Sequence, residues 1–262
     1  MAIMTADDAD QLDLQIYPDR DRLGAAAAHD IAAALRSVLQ AQGSARMIFA
    51  SAPSQTETLA ALAQASGIDW SRVTAFHMDE YLGLPDDAPQ RFATWLREAF
   101  FGRVPLGAVH YIDAEGDEQE SADAYASLLA EAPIDIVCLG IGVNGHIAFN
   151  DPPVADFNDP DLVKIVDLDD KSRVQQVQDG LFATVDEVPE RAITLTVPML
   201  MSGKQLFCMV PGELKAEALR ATVKEWVSTN WPSTILRTHP NCTVYADSDA
   251  TSLLEPGQLE AN

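Results

Sequence analysis

The sequence is poor in basic residues. It contains 17 lysine and arginine residues against 40 aspartate and glutamate residues, which gives a formal net charge of −23 at pH 7. An acidic surface repels nucleic acids and anionic membranes, so the sequence predicts no nucleic-acid or membrane partner. The same field repels an anionic substrate, and a site for one must therefore supply its own local positive potential.

A long apolar run, a secretory leader and an even set of cysteines are also missing. No stretch approaches the roughly 20 apolar residues that span a bilayer, and residues 1–14 lack the basic and apolar regions of a signal peptide. Cys138, Cys208 and Cys242 each lie within or beside an apolar, strand-like run. This setting favours buried free thiols over disulfides, and the sequence predicts a cytoplasmic protein.

Apolar runs of strand length alternate with longer helical patterns along the chain. Continuous apolar strands separated by helices indicate a parallel sheet with helices on both faces. We therefore predict one α/β domain over residues 1–262, with a Rossmann-like, mostly parallel sheet. The predicted strands cover residues 13–18, 46–52, 73–78, 109–112, 134–139, 192–196, 205–211 and 242–246, and the predicted helices cover residues 21–42, 54–65, 90–101, 120–130 and 213–223.

Residues 151–190 interrupt this alternation. The segment begins with several prolines, aspartates and asparagines and continues with a charged stretch over residues 167–173. A long irregular segment in a compact domain is often a functional lid, here about residues 152–190. A partly helical excursion on the surface is the alternative interpretation, and the sequence leaves both open.

Polar or glycine-rich sequence follows four of the predicted strands. In an open parallel sheet, ligands bind beyond the carboxyl ends of the strands, so we expect a site where these loops meet. The loops are residues 51–56 (SAPSQT), 77–85 (HMDEYLGLP), 140–152 (GIGVNGHIAFNDP) and 211–215 (PGELK).

Asp79 and Glu80 directly follow a buried strand. Adjacent side chains at a strand end point in different directions, so one of the two faces the site. A partly desolvated carboxylate there has a raised pKa, in the range useful to a general base. The alternative is that Asp79 caps the following turn.

The loop over residues 140–152 combines glycines with a histidine. Gly140, Gly142 and Gly145 allow the backbone to approach a ligand closely. His146 can exchange protons at neutral pH, and Asp151 can hold its imidazole in one tautomer. A hydrogen-bonded core histidine is the structural alternative. The glycine spacing also matches a dinucleotide fingerprint, although HIAFNDP follows it rather than an evident helix.

Residues 77–85 and 144–152 resemble the two signature stretches of glucosamine-6-phosphate deaminases, in the expected order and separation. The resemblance extends over about residues 14–254 and includes the PGELK turn. The superfamily also contains 6-phosphogluconolactonases, and the MDEY and NGHIAFN sequence motifs favour the deaminase branch. The implied reaction converts glucosamine 6-phosphate, or a close relative, to a ketose phosphate and ammonia.

The resemblance implies a role for each matching residue. Asp79 would shuttle a proton between C2 and C1 of the opened sugar, and His146 would catalyse ring opening. Asp151 stands for a glutamate that tunes this histidine, and Lys215 would contact the substrate phosphate. No metal or cofactor is implied, because proton transfer handles the enolamine intermediate. A homo-oligomer is left open.

The sequence departs from the family pattern at three places. Asn144 replaces an aspartate and is assigned an orienting role. The loop over residues 51–56 replaces a run of consecutive glycines. A lid arginine is replaced near Gln178, with Arg173 remaining nearby. The expected substrate-binding residues are Ser51, Ser54, Gln55, Thr56, Glu80, Gly145, Arg173 and Lys215.

Two other functions compete with the deaminase. A lactonase-like hydrolase would use His146 to activate water. A non-catalytic domain would bind a sugar phosphate without turnover, as effector domains of transcription regulators do. The chain shows no helix-turn-helix segment to accompany such a domain, and its charge is adverse to DNA.

Overall fold

The computed structural model of the chain describes residues 12–254. The strands are β1 (Asp13–Tyr17), β2 (Ala45–Phe49), β3 (Val73–His77), β4 (Asp79–Tyr81), β5 (Ala108–His110), β6 (Ile136–Leu139), β7 (Val163–Asp167), β8 (Arg191–Leu195), β9 (Gln205–Val210) and β10 (Cys242–Asp247). The α-helices are α1 (Arg20–Gln42), α2 (Thr56–Leu62), α3 (Phe92–Leu96), α4 (Glu118–Ala130), α5 (Asp170–Gln178), α6 (Val197–Met201) and α7 (Ala216–Lys224). Within this range, no helix is both long and apolar enough to cross a membrane.

Seven strands form one parallel sheet in the order β1-β10-β9-β6-β2-β3-β5. Successive side chains of β2 enter different hydrophobic clusters, because neighbours on a strand point to opposite faces. Ile48 packs in the cluster with Leu219 of α7, whereas Met47 packs in the cluster with Ile31 of α1. Helices therefore cover both faces, and the predicted α/β fold with a mostly parallel sheet is confirmed.

Helix α1 shows why its predicted boundaries were nearly correct. The Asp19 carboxylate caps the helix by accepting a hydrogen bond from the Arg22 N–H at 2.8 Å. At the other end, Gly43 adopts a left-handed conformation (φ +81°) that side chains disfavour. Gly24 lets α1 approach α2 closely, since a Cβ there would lie 2.5 Å from the Cβ of Glu57.

A second sheet was not predicted. It contains three antiparallel strands in the order β4-β8-β7. Residues 192–196 were predicted as a strand of the parallel sheet, but β8 belongs to this small sheet. The apolar run of β8 is buried in either arrangement, so its pattern does not reveal its partners. Residues 151–190 contain β7 and α5, and a partly helical segment was one of the two interpretations that the sequence left open.

The small sheet joins the two chemically distinctive loops. Asp79 of β4 pairs with Thr194 of β8, and the Thr194 hydroxyl accepts a hydrogen bond from the Phe149 N–H at 3.1 Å. The Asn150 side chain donates to the carbonyl of Leu195 at 2.8 Å. Strand β8 thus fixes the position of Asp79 relative to the loop that carries the histidine.

The three cysteines are free and buried, as predicted. Cys138 lies in β6, Cys208 in β9 and Cys242 in β10. Burial raises the pKa of all three thiols, so they act as small apolar core residues rather than as reactive thiolates.

Candidate active site

A cavity of about 390 Å³ opens at the carboxyl ends of the parallel strands. All four predicted loops contribute to its wall, and α5 and the first residue of α1 complete it. Apolar groups form part of the lining, among them Phe92, Phe149 and Leu181. The convergence of these loops follows from parallel strands ending at one edge of the sheet.

Asp79 is a buried carboxyl in the cavity wall, with an exposed fraction of 6%. Burial raises the pKa of Asp79 well above its usual range, and the neighbouring carboxylate of Glu80 acts in the same direction. A carboxyl with a raised pKa is a stronger base when ionised and a competent acid when protonated. The position therefore suits a group that takes up and returns a proton.

Glu80 points away from the cavity, so its expected contact with substrate is not supported. Its carboxylate accepts hydrogen bonds from the backbone N–H groups of Phe92 and Ala93, at 3.0 and 2.9 Å, and lies 3.7 Å from Arg91. Glu80 therefore holds the start of α3, which carries Phe92 into the cavity wall. As side-chain alternation predicts, one of the two adjacent carboxyls faces the site.

His146 is the imidazole of the cavity wall. Its Nδ1 lies 2.9 Å from Oδ1 of Asp151, and a carboxylate can only accept, so Nδ1 carries the proton. Ser172 of α5 places its hydroxyl oxygen 3.1 Å from the same nitrogen. These contacts engage Nδ1 and leave Nε2 as the nitrogen available for proton exchange.

Asp151 and Asn144 lie behind the imidazole rather than in the cavity wall. The Asn144 amide donates to Asp151 Oδ1 at 2.8 Å, and its carbonyl accepts the backbone N–H of His146 at 3.1 Å. Burial by itself would raise the pKa of Asp151. The electrostatic effect of the His146 imidazole and the hydrogen bonds from His146, Asn144 and Ser172 are larger than the effect of burial, so the pKa is lowered. Asp151 therefore stays ionised beside His146, and Asn144 has the orienting geometry expected of it.

Gly142 makes room for the imidazole. A Cβ at this position would lie 2.2 Å from Cε1 and Nε2 of His146. We predict that Gly142→Ala displaces the ring and lowers turnover far more than it lowers the melting temperature, since a misplacement of about 1 Å can cost about 10²-fold in rate. Measuring kcat together with thermal unfolding checks this expectation. An unchanged rate would show that the ring relaxes without consequence.

Ser51, Ser54 and Lys215 also line the cavity. Lys215 is the last residue of the PGELK turn, in which Gly212 donates its N–H to the Asp247 carboxylate at 2.9 Å. Burial lowers the pKa of Lys215, while the Asp179 carboxylate acts in the opposite direction. Hydroxyls and an ammonium group in the cavity wall suit an anionic substituent.

Four other expected binding residues do not reach this wall. Gln55 is buried and donates to the Leu139 carbonyl at 3.1 Å, and Thr56 begins α2 on the exposed surface. Gly145 (φ +78°) faces Trp231. The Arg173 guanidinium donates to the carbonyls of Val185 and Val188 at 2.9 and 3.1 Å. Gln178 borders a different surface depression.

Helix α5 and its C-capping residue, Asp179, contribute site residues that sequence reasoning missed. Gln175, Gln176 and Asp179 line the cavity, and Ser172 reaches the histidine. Gln175 also accepts the N–H of Val143 at 2.9 Å and so ties α5 to the glycine-rich loop. These four residues fall at i, i+3, i+4 and i+7, which is one face of a helix. A prediction of a helix over this segment would have identified this polar face.

Arg20 of the cavity wall was also missed, but for a different reason. It precedes the four loops by a long stretch of sequence.

These features define a class of protein, an α/β fold with a buried carboxyl and an imidazole in one cavity at the carboxyl edge of its sheet. Residues 18–245 of the chain match the model of a protein family that is described as "Glucosamine-6-phosphate isomerases/6-phosphogluconolactonase". The chain is a member of this family.

Three named proteins are similar to the chain. A glucosamine-6-phosphate deaminase of Streptococcus pneumoniae is 35% identical over 191 residues, which covers 72% of this chain and 79% of the relative. The structure of a monomeric glucosamine-6-phosphate deaminase superposes with a TM-score of 0.83 at 25% identity, covering 92% of this chain and 100% of that one. A 6-phosphogluconolactonase from Shewanella baltica shares the fold, with a TM-score of 0.76, 19% identity and coverage of 92% and 99%.

Proposed function

We propose that the protein is an amino-sugar-phosphate deaminase/isomerase that converts glucosamine 6-phosphate, or a close relative, to a ketose phosphate and ammonia. The observation that carries the proposal is one cavity lined by the Asp79 carboxyl, the His146 imidazole and the Lys215 ammonium group, with Asp151 held against the imidazole. The similarity to named deaminases supports the same reaction.

The first step assigned to the site is ring opening. Asp151 holds His146 Nδ1 in its protonated form at 2.9 Å, so Nε2 can accept the proton of the C1 hydroxyl. The resulting imidazolium is stabilised by the buried Asp151 carboxylate and returns the proton to the ring oxygen. The C1–O bond to the ring breaks, and an open-chain aldehyde results.

Asp79 then acts on the open-chain sugar. Its carboxylate removes the proton from C2 while O1 takes up a proton from the substrate ammonium group, which gives an enolamine. The C2 proton then returns from Asp79 to C1 and gives a 2-iminium sugar. Water adds to C2 and ammonia leaves, which yields the ketose phosphate. The raised pKa of Asp79 supports both halves of this transfer, because one group must accept and then donate. These steps need only proton transfer and water, so we propose no metal or cofactor.

Lys215 is assigned to the phosphate. We expect Lys215→Ala to raise KM for a phosphorylated substrate by the equivalent of about 1.5–3 kcal/mol, the range for a hydrogen bond to a charged group. Activity on an unphosphorylated analogue should barely change. Lys224→Ala is the matched control, because this exposed lysine lies on the following helix and outside the cavity wall. Steady-state kinetics at two salt concentrations makes the comparison. Equal KM increases for both substrates would argue against a phosphate contact.

The decisive test of the proposed function compares two activities on the wild-type protein. Ammonia release is measured across a panel of amino-sugar 6-phosphates and their unphosphorylated forms, and lactone hydrolysis is measured on 6-phosphogluconolactone. We expect ammonia release from the phosphorylated amino sugars. Lactone hydrolysis without ammonia release would favour the lactonase alternative, and binding without either reaction would favour a sensing domain.

The remaining assignments extend this proposal. Residues 152–190 act as a lid within a single domain, and their helix α5 supplies part of the cavity wall. A phosphorylated amino sugar is the small-molecule partner, in a cytoplasmic setting that suits the three free thiols.

A further inference from the structure

We infer that Arg20 is a second anion-binding residue of the cavity, which acts together with Lys215 on the phosphate of the substrate. The inference rests on the proposed function. Arg20 is the first residue of α1 and lines the cavity together with Pro53 and Ser54. We assign it to specificity rather than to catalysis, since its guanidinium contacts the Pro53 carbonyl in the loop that also supplies Ser54 to the cavity wall.

The Arg20 guanidinium is held in place along one edge. Its Nε lies 3.0 Å from Oε1 of Glu57, and its Nη2 lies 3.0 Å from Oε2 of Glu57. The same Nη2 donates to the carbonyl of Pro53 at 2.7 Å. Within residues 12–254, these contacts leave Nη1 without a hydrogen-bond partner. An oriented guanidinium with free N–H donors binds a phosphate with little loss of side-chain freedom.

The negative charges of the cavity wall are an argument for a second cation beside Lys215. Among the described residues, Arg20 and Lys215 are the cationic side chains of this wall. Asp179 and Glu213 are carboxylates of the same wall, and the Asp179 carboxylate acts electrostatically on Lys215. A phosphate dianion held by Lys215 alone would be opposed by these carboxylates in a protein of net charge −23. Glu57 engages Nε and Nη2 of Arg20, so Nη1 is the group through which Arg20 would add a cationic donor to this wall.

The backbone near Arg20 explains why a side chain is needed. Pro53 has no N–H group, so the loop between β2 and α2 offers one donor fewer to an anion. Gly24 lies one helical turn after Arg20, on the same face of α1. Its missing Cβ allows the close approach to Glu57. This contact places Arg20 beside Glu57 and the loop.

The test measures binding of inorganic phosphate to the intact protein, by calorimetry or by the phosphate-dependent shift in melting temperature. We expect Arg20→Gln to weaken phosphate binding about tenfold or more, as for loss of a charge-assisted contact, and Arg20→Lys to retain part of it. Arg36→Gln is the matched control, because Arg36 lies on the same helix but donates to the Ser66 carbonyl, at 3.0 and 2.8 Å. The control should bind phosphate like the wild type.

A second variant separates binding from a tethering role. Glu57→Gln removes the carboxylate partner but leaves the cation, so it should retain phosphate binding. If Glu57→Gln loses binding as fully as Arg20→Gln, or if Arg20→Gln lowers only the melting temperature, Arg20 merely anchors the loop and the inference is overturned. Phosphate binding that depends on Arg20 without ammonia release would refute the proposed function alone. Ammonia release with Arg20-independent phosphate binding would refute this inference alone.

Discussion

Replacing Asp79 with asparagine should lower the turnover number by about 10²–10⁴-fold, the usual contribution of a general base, while substrate affinity stays within a few-fold. The amide has nearly the same shape as the carboxyl, so the cavity wall is preserved, but it cannot remove the proton from C2. Ammonia release gives the rate, and exchange of the C2 proton with solvent deuterium reports the assigned step directly.

Asp87→Asn is the matched control for this change, because it removes an exposed carboxylate eight residues further along the chain. It should leave the rate unchanged. Retention of more than about a tenth of the wild-type rate by Asp79→Asn would contradict the assignment, since general-base loss costs at least about 10²-fold.

The same substitution should raise the stability of the fold at neutral pH. The raised pKa of Asp79 means that the folded state binds this proton more tightly than the unfolded state does. The corresponding stability is present below the ordinary carboxyl pKa and is lost as pH rises towards the raised folded value. Asparagine carries no such dependence. Urea unfolding of both proteins at acidic and neutral pH should show the advantage of the variant growing with pH, and a constant difference would argue against a raised pKa.

His146→Gln should abolish most turnover on the cyclic substrate and should spare a substrate supplied in open-chain form. Glutamine can donate and accept hydrogen bonds, but it cannot carry a proton from the C1 hydroxyl to the ring oxygen. The expected loss on the cyclic sugar is about 10²–10⁴-fold. Rates on the cyclic sugar and on an open-chain analogue are compared in the same assay.

The exposed His29 of α1 provides the control, because His29→Gln changes an imidazole outside the cavity. Equal losses on cyclic and open-chain substrates would mean that His146 acts after ring opening, and the assignment would then be wrong.

Several features of the protein could be predicted from the sequence because they depend on residues that are close together along the chain. Strand β6 is four consecutive buried residues, which indicates a strand covered on both faces. Helix α1 has its cap and its stop within a few residues of each end. The parallel alternation then places the four polar loops at one edge, so the meeting of Asp79 with His146 in one cavity also followed.

Other features depended on partners that the sequence does not identify. The apolar run of β8 has the pattern of a buried strand, and the pattern is the same whether it pairs in the large sheet or with β4 and β7. Glu80 was grouped with the site because it adjoins Asp79, but the N–H groups of Phe92 and Ala93 hold it elsewhere.

The sequence by itself therefore determined the α/β class, the sheet edge at which the four polar loops meet, and the placement of Asp79 and His146 at that edge. Only the tertiary structure decided which polar residues surround them. Arg20 reaches the cavity through Glu57, which is 37 residues away, and Ser172 reaches His146 from 26 residues away. The periodicity of apolar residues indicates which face of a helix or strand is buried. Contacts between distant segments depend instead on how the helices and strands pack, and this packing is determined by residues throughout the core.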